Sequence, residues 1–284
     1  MSSGLEVTSF TGFQIDGQEK IIGSTVPLYA AIAASSEYVV YYENKVLSVY
    51  NQNGPSKKTI QWTKKDGHVI DICFYKNKQF VILTKREFHL FNVDTEKIQT
   101  MYRLPDNDDD DSTYRRCTSH DECIMLCLSG PGTTIEEWTL TKRKNRWESP
   151  KSCKHNEHIC CLRLSSNILG LTIVNSTQES RFEVRQRETM SVVFLMPLTR
   201  QCYRFIAMNE YDWLLVLYYN GRQELLLIDT NERIGKIINI PALTHIYDYD
   251  GNFNQMIWNV ALMFGTTPYL IVRRERTIGF YRVK

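Results

Sequence analysis

The stretch from His68 to Arg103, HVIDICFYKNKQFVILTKREFHLFNVDTEKIQTMYR, decides the architecture. It divides into four short runs with strand character: His68–Phe74, Gln79–Thr84, Glu87–Val93 and Lys97–Arg103. Between them stand Lys76-Asn77-Lys78, Lys85-Arg86 and Asp94-Thr95-Glu96, short polar pieces that suit tight antiparallel turns. The second run is apolar almost throughout and the third alternates. That is the pattern of a strand buried on both faces beside one buried on a single face. Four such strands in a row make one meandering antiparallel sheet.

The same order recurs along the chain. Aligned on the third strand, the copies read Lys45–Gln52 (KVLSVYNQ), Arg86–Val93 (REFHLFNV), Thr133–Leu140 (TTIEEWTL), Arg181–Glu188 (RFEVRQRE), Gln223–Thr230 (QELLLIDT) and Arg276–Val283 (RTIGFYRV). Their starts lie 41, 47, 48, 42 and 53 residues apart. Four of these gaps match the roughly 40–50 residues of a four-stranded propeller blade. The long last gap predicts an insertion around Asp248–Asn254. No stretch of comparable length keeps a helical period, so the reading is all-β: a single β-propeller of six four-stranded blades. Seven blades would require splitting the long sixth segment, and that count stands as the alternative.

At the sixth place of the third strands are Tyr50, Phe91, Trp138, Gln186, Ile228 and Tyr281, and at the seventh Asn51, Asn92, Thr139, Arg187, Asp229 and Arg282. A large residue followed by a polar one resembles the Trp-Asp ending of WD repeats, and Gly67-His68 resembles the Gly-His that opens them. The resemblance covers about residues 27–284. It implies a WD-like propeller whose N-terminal strand completes the last blade. The sixth copy stops at its third strand, and Leu5–Ile15 is a spare alternating segment before the first copy, so Leu5–Ile15 is the expected closing strand. One domain then spans 1–284: a lead-in over 1–26 and blades near 27–66, 67–110, 111–153, 154–198, 199–241 and 242–284.

The balance of 34 Lys and Arg against 32 Asp and Glu gives a net charge of +2, which supplies no ground for a nucleic-acid or anionic-membrane partner. Apolar runs such as Ser191–Leu198 fall well short of the ~18 residues of a membrane span. Met1–Gly12 has no basic start followed by an apolar stretch. The expected compartment is therefore the cytoplasm, with the nucleus as the alternative, and the eight cysteines are read as free thiols.

Cys117, His120, Cys123 and Cys127, followed by Cys153, His155, His158, Cys160 and Cys161, invite a metal reading. No Cys-x-x-Cys pair is present, however. Cys73, Cys117, Cys161 and Cys202 recur at 44, 44 and 41 residues, which reads as one core position per blade. No metal and no cofactor is expected. Asp106–Asp111 lacks the Gly and Glu of a calcium loop and reads as a solvated connection. Lys142–Arg146 reads as a solvated hairpin tip. No nucleophile elbow and no phosphate-binding glycine loop appears.

Two function classes remain. The first is a non-catalytic scaffold that binds a protein or peptide, with no catalytic residues. Its candidate partner-binding residues are Lys45, Lys85, Arg86, Lys151, Lys154, Arg200, Arg274 and Arg276. All fall in the turns between second and third strands or in the crossovers between blades, which emerge on one face of a propeller. Such a face suits an acidic or phosphorylated partner. The alternative is a propeller hydrolase with a central-channel active site. Its innermost strands would offer Asp71, Arg116, Arg163 and Arg204, with Asp248 beside them, and no pair of carboxylates on adjacent blades.

Overall fold

The structure, a computed structural model, describes residues 15–23, 31–52, 57–62, 67–105, 113–219, 222–238, 256–264, 268–274 and 277–283, with 15–23, 219 and 222 as backbone only. The described residues form 24 strands, arranged in six four-stranded antiparallel sheets. Blade 1 comprises β2 (Ile32–Ala34), β3 (Tyr38–Glu43), β4 (Val46–Asn51) and β5 (Lys57–Gln61). Blade 2 comprises β6 (Asp71–Phe74), β7 (Gln79–Leu83), β8 (Glu87–Asn92) and β9 (Ile98–Arg103). Blade 3 holds β10 (Tyr114–His120), β11 (Cys123–Leu128), β12 (Ile135–Trp138) and β13 (Arg143–Trp147). Blade 4 holds β14 (Glu157–Ser165), β15 (Ile168–Asn175), β16 (Ser180–Gln186) and β17 (Val192–Leu198). Blade 5 holds β18 (Gln201–Ala207), β19 (Asp212–Tyr219), β20 (Arg222–Asp229) and β21 (Ile234–Ile238). Blade 6 is built from β22 (Asn259–Met263), β23 (Tyr269–Arg273), β24 (Thr277–Val283) and, from the other end of the chain, β1 (Ile15–Gly23).

The six third strands lie within two residues of the segments aligned above. The last blade is closed by an N-terminal strand, Ile15–Gly23 among the described residues, which shares Ile15 with the expected Leu5–Ile15. Its register runs from Ile15 opposite Val283 to Gly23 opposite Thr277. Leu5–Gln14 and the expected insertion around Asp248–Asn254 lie outside the described residues. A second latch joins blade 6 to blade 1. Buried Arg273 donates to the carbonyls of Ala31 and Tyr42, both at 2.7 Å, and lies over the Tyr41 ring. Burial pushes the Arg273 pKa down to about 10, and those two carbonyls compensate the guanidinium.

Each inner strand touches the next around the whole ring: β2, β6, β10, β14, β18, β22 and back to β2. The core is correspondingly split into six apolar clusters, each shared by two neighbouring blades. Between blades 4 and 5, Trp213 lies against Phe182 and Phe205 with ring centroids 5.6 and 5.9 Å away. Gly170 makes that packing fit, since a Cβ there would sit 2.5 Å from the Trp213 ring. Turn chemistry sets the hairpins: Asn44 and Lys45, with φ of 45° and 62°, form the left-handed pair a two-residue turn between β3 and β4 requires.

One basic segment differs from expectation. Lys142–Arg146 is not a hairpin tip, because Arg143–Trp147 is the outer strand β13. Arg143 and Arg146 both reach Glu136, at 2.8 and 3.1 Å, and Glu136 is fully buried. The cations there serve a buried carboxylate that would be costly if left alone.

Candidate functional site

All eight cysteines are free and buried. Burial raises the thiol pKa of Cys117 and Cys202, and pushes Cys123 and Cys127 up to about 12. Their even spacing does not mark one structural position, however. Arg116 pairs with Cys127, Cys161 with Thr172 and Arg204 with Val216, in each case just after a break in register. The residue equivalent to Cys161 is thus Arg116 in blade 3 and Arg204 in blade 5, while Cys117 matches Leu162. No group of three or more His, Cys, Asp or Glu arranged to hold a metal occurs among the described residues.

The three register breaks shape the central channel. A β-bulge adds an unpaired residue and re-aims the side chains around it. The extra residues here are Arg115, Cys160 and Tyr203, followed by Arg116, Cys161 and Arg204. Two arginines therefore stand at equivalent positions of blades 3 and 5, and the small thiol of blade 4 lies between them in the ring. Arg116 and Arg204 line a cavity of about 300 Å³ at the mouth where the inner strands begin, together with Tyr203, Tyr218, Gln223 and Trp258. The Gln223 amide pins the wall, donating to the Ile257 carbonyl at 2.9 Å and accepting from its N–H at 2.5 Å. Tyr203 and Trp258 are 39% and 38% exposed, so both rings stand at the opening.

The guanidinium groups differ in how they are held. Arg163 lies 3.6 Å from Asp71 and donates to the carbonyls of Cys117 and Leu162. Asp71 also accepts the Cys117 N–H at 3.1 Å. Arg116 and Arg204 each make one hydrogen bond, at 2.8 Å, to the carbonyl of the residue before. Neither is ion-paired with a carboxylate of a described residue, and the Nε of each is buried without a partner. Burial, reinforced by Arg116, pushes the Arg204 pKa down to about 9. Nearby His158 is held below its ordinary value by burial and by Arg115.

The opposite mouth holds a larger cavity of about 610 Å³, lined by the ends of all six inner strands, with Phe74, Ser119, His120, Ser165, Glu210 and Phe264 among its walls. Two of its hydroxyls bond the neighbouring blades: Thr118 accepts from the Leu164 N–H at 2.9 Å, and Ser165 donates to the Asn209 carbonyl at 2.9 Å. The acids of the described inner strands are Asp71 and Glu157, both bonded to arginine. Asp248 lies outside the described residues.

Of the candidate binding residues, Lys45 and Lys85 sit in turns between second and third strands, and Lys151 and Lys154 in the crossover from β13 to β14; all four are exposed. The other three described are partly buried and engaged. Arg86 donates to the Pro105 carbonyl, Arg200 pairs with Glu224, and Arg274 donates to the Tyr281 hydroxyl at 3.3 Å. Arg276 and the Asp106–Asp111 run lie outside the described residues. The described seven emerge on one face, spread around its rim, and the Arg116–Arg204 cavity opens at the centre of that same face. Arg116 and Arg204 stand out in the sequence as charges on inner strands, whereas nothing in it singled out Tyr203 and Trp258.

No family model matches the chain, and no curated protein matches it. Solved structures do. A chain in the crystal structure of the mitotic checkpoint complex is 9% identical, covers 100% of this chain and 99% of its own length, and has a TM-score of 0.64. The WD40 β-propeller domain of Doa1 is 11% identical over 96% of this chain and 97% of that one, with a TM-score of 0.60. A calcium-binding regucalcin from Agrobacterium tumefaciens is 10% identical over 92% of both chains, with a TM-score of 0.57. At these identities the likeness shows the fold alone, and that fold is a six-bladed, divergent WD-repeat-like propeller.

Proposed function

We propose that the protein is a non-catalytic scaffold that docks a protein or peptide partner on the face bearing the crossovers and the turns between second and third strands. The partner carries acidic or phosphorylated groups. One observation carries this reading: exposed Lys45, Lys85, Lys151 and Lys154 stand on blades 1 and 2 and the crossover from blade 3 to blade 4, on a face whose cavity holds two arginines without carboxylate partners among the described residues. The rigid disc leaves such loops free to specialise for recognition. The eight reduced, buried thiols support a cytoplasmic or nuclear compartment. The hydrolase alternative would need free acids or metal ligands on the inner strands, and the two acids of the described inner strands, Asp71 and Glu157, are both paired with arginine.

The test is affinity capture with mass spectrometry, comparing the wild type with a variant carrying Lys45, Lys85, Lys151 and Lys154 all changed to Glu. Partners of this face drop out with the variant and weaken with added salt, because exposed charges are screened over roughly 8–10 Å at physiological ionic strength. The melting temperature changes little. A partner set unaffected by both treatments overturns the reading.

A further inference from the structure

We propose that the cavity between Arg116 and Arg204 is a binding site for a phosphorylated aromatic side chain, a phosphotyrosine of the docked partner. This rests on the reading above, and it assigns the centre of the face a specific ligand chemistry.

Two positive side chains from non-adjacent blades meet in a cavity, and neither is ion-paired with a carboxylate of a described residue. Guanidinium groups held inside this molecule are ion-paired, as Arg163 is with Asp71 and Arg185 with Glu183, or gripped by two carbonyls of a neighbouring blade, as Arg273 is. Arg116 and Arg204 have one backbone carbonyl each and an Nε with no acceptor, so most of their donor capacity remains unused. Burial and the positive Arg116 beside it lower the Arg204 pKa. Two guanidinium groups offer more donors than one carboxylate accepts, whereas a dianionic phosphate has three oxygens for bidentate contacts.

The walls specify what the phosphate hangs from. Val216 and Ile257 are apolar, and Tyr203 and Trp258 present half-exposed rings at the opening. A volume of about 300 Å³ is at the small end for ligand pockets, the size for one side chain rather than a folded segment. A phosphoserine would carry its phosphate on one methylene and leave the rings uncovered. A phosphotyrosine fills the walls with its own ring and reaches the arginines beyond them.

Phenyl phosphate, titrated calorimetrically into the full-length protein, tests the site without any partner. Saturable one-to-one binding is expected, tighter than inorganic phosphate. Arg116→Met and Arg204→Met should each weaken it about tenfold or more, the usual worth of a charge-assisted contact. Trp258→Ala should weaken phenyl phosphate but leave inorganic phosphate unchanged, which loss of folding would not do. Arg204→Lys, which keeps the charge, covers the case in which the methionine variant fails to fold, and should retain weakened binding. Absence of binding at 10 mM (roughly the limit of a useful interaction on the affinity scale), or binding that survives both methionine variants, overturns the proposal. A phosphotyrosine peptide binding no better than the phosphoserine version assigns the pocket a free aryl phosphate and overturns the peptide assignment. If phenyl phosphate binds but the four-lysine variant keeps all its partners, the docking reading falls and the pocket stands. The reverse pair of results fells the pocket alone.

Discussion

Two arginine-rich clusters lie on the same side of this propeller, and they are built on opposite principles. Between blades 3 and 4, Arg181 and Arg185 alternate with Glu183 along one face of β16. Arg181 grips Glu157 through both oxygens, at 2.7 and 2.8 Å, and reaches Glu183 at 2.5 Å. Arg185 binds the other Glu183 oxygen at 2.7 Å and the Lys151 carbonyl at 2.8 Å, while Glu157 accepts the Lys154 N–H at 3.0 Å. Every charge is answered, and the network fastens the crossover that presents Lys151 and Lys154. At the channel mouth, Arg116 and Arg204 meet with no acid between them. A closed network has no capacity for a ligand, whereas an open one keeps its donors. The difference separates arginines that hold the fold from arginines available for recognition.

The comparison is broken most forcefully from the closed side. Arg185→Met leaves Glu183 buried with one of its two partners gone and frees the Lys151 carbonyl. Removing one member of a buried pair typically costs about 3–5 kcal/mol, and a loss of that order is expected in urea unfolding. An unchanged midpoint would mean that the network is ornamental.

Acid acts on the same cluster more gently. The bidentate grip of Arg181, opposed by burial, holds the Glu157 carboxyl below the usual carboxylate range. A carboxyl whose folded pKa is depressed contributes stability above its unfolded value, about 4.3 for Glu, and loses it as pH falls through the folded value. Glu157→Gln lacks this contribution at every pH. The gap between the wild type and Glu157→Gln should therefore be full at pH 6–7 and shrink below about pH 4. A gap that stays constant with pH would show that Glu157 acts by packing and not by charge.

The blade order and the third strands were readable because those strands are buried, and burial imposes an apolar pattern on sequence. Outer strands are under no such demand. β1, with the sequence IDGQEKIIG, was met by the expected closing segment only at Ile15, and β13, with RKNRW, was read as a turn. Both carry polar sequences that any solvated loop could have. Their pairing is a backbone matter: β1 satisfies the edge of β24, and β13 the edge of β12. The site was half legible. Charged residues on inner strands stand out in a chain, but which of them is paired depends on bulges and on contacts between blades. Asp71 and Arg163 lie two blades apart, and no spacing in the sequence announces that one neutralises the other while Arg116 and Arg204 are left open.

The open side gives the smallest expected effect on stability, and it discriminates most sharply. Arg204→Met replaces a guanidinium that lacks an acidic partner with an unbranched apolar side chain able to follow the same path. The substitution loses one hydrogen bond, to the Tyr203 carbonyl. It also removes a partly buried positive charge beside Arg116, and burial together with that neighbouring charge lowers its pKa. Losing a hydrogen bond costs about 0.5–1.5 kcal/mol, and relief of an uncompensated buried charge offsets or exceeds that. The urea midpoint of Arg204→Met should thus equal or surpass that of the wild type, while Arg185→Met falls. Two arginines would then move stability in different directions, because only Arg185 is ion-paired with a carboxylate of the described residues. If Arg204→Met is destabilised as much as Arg185→Met, the channel arginines are part of the scaffold, and the distinction between the two clusters does not stand.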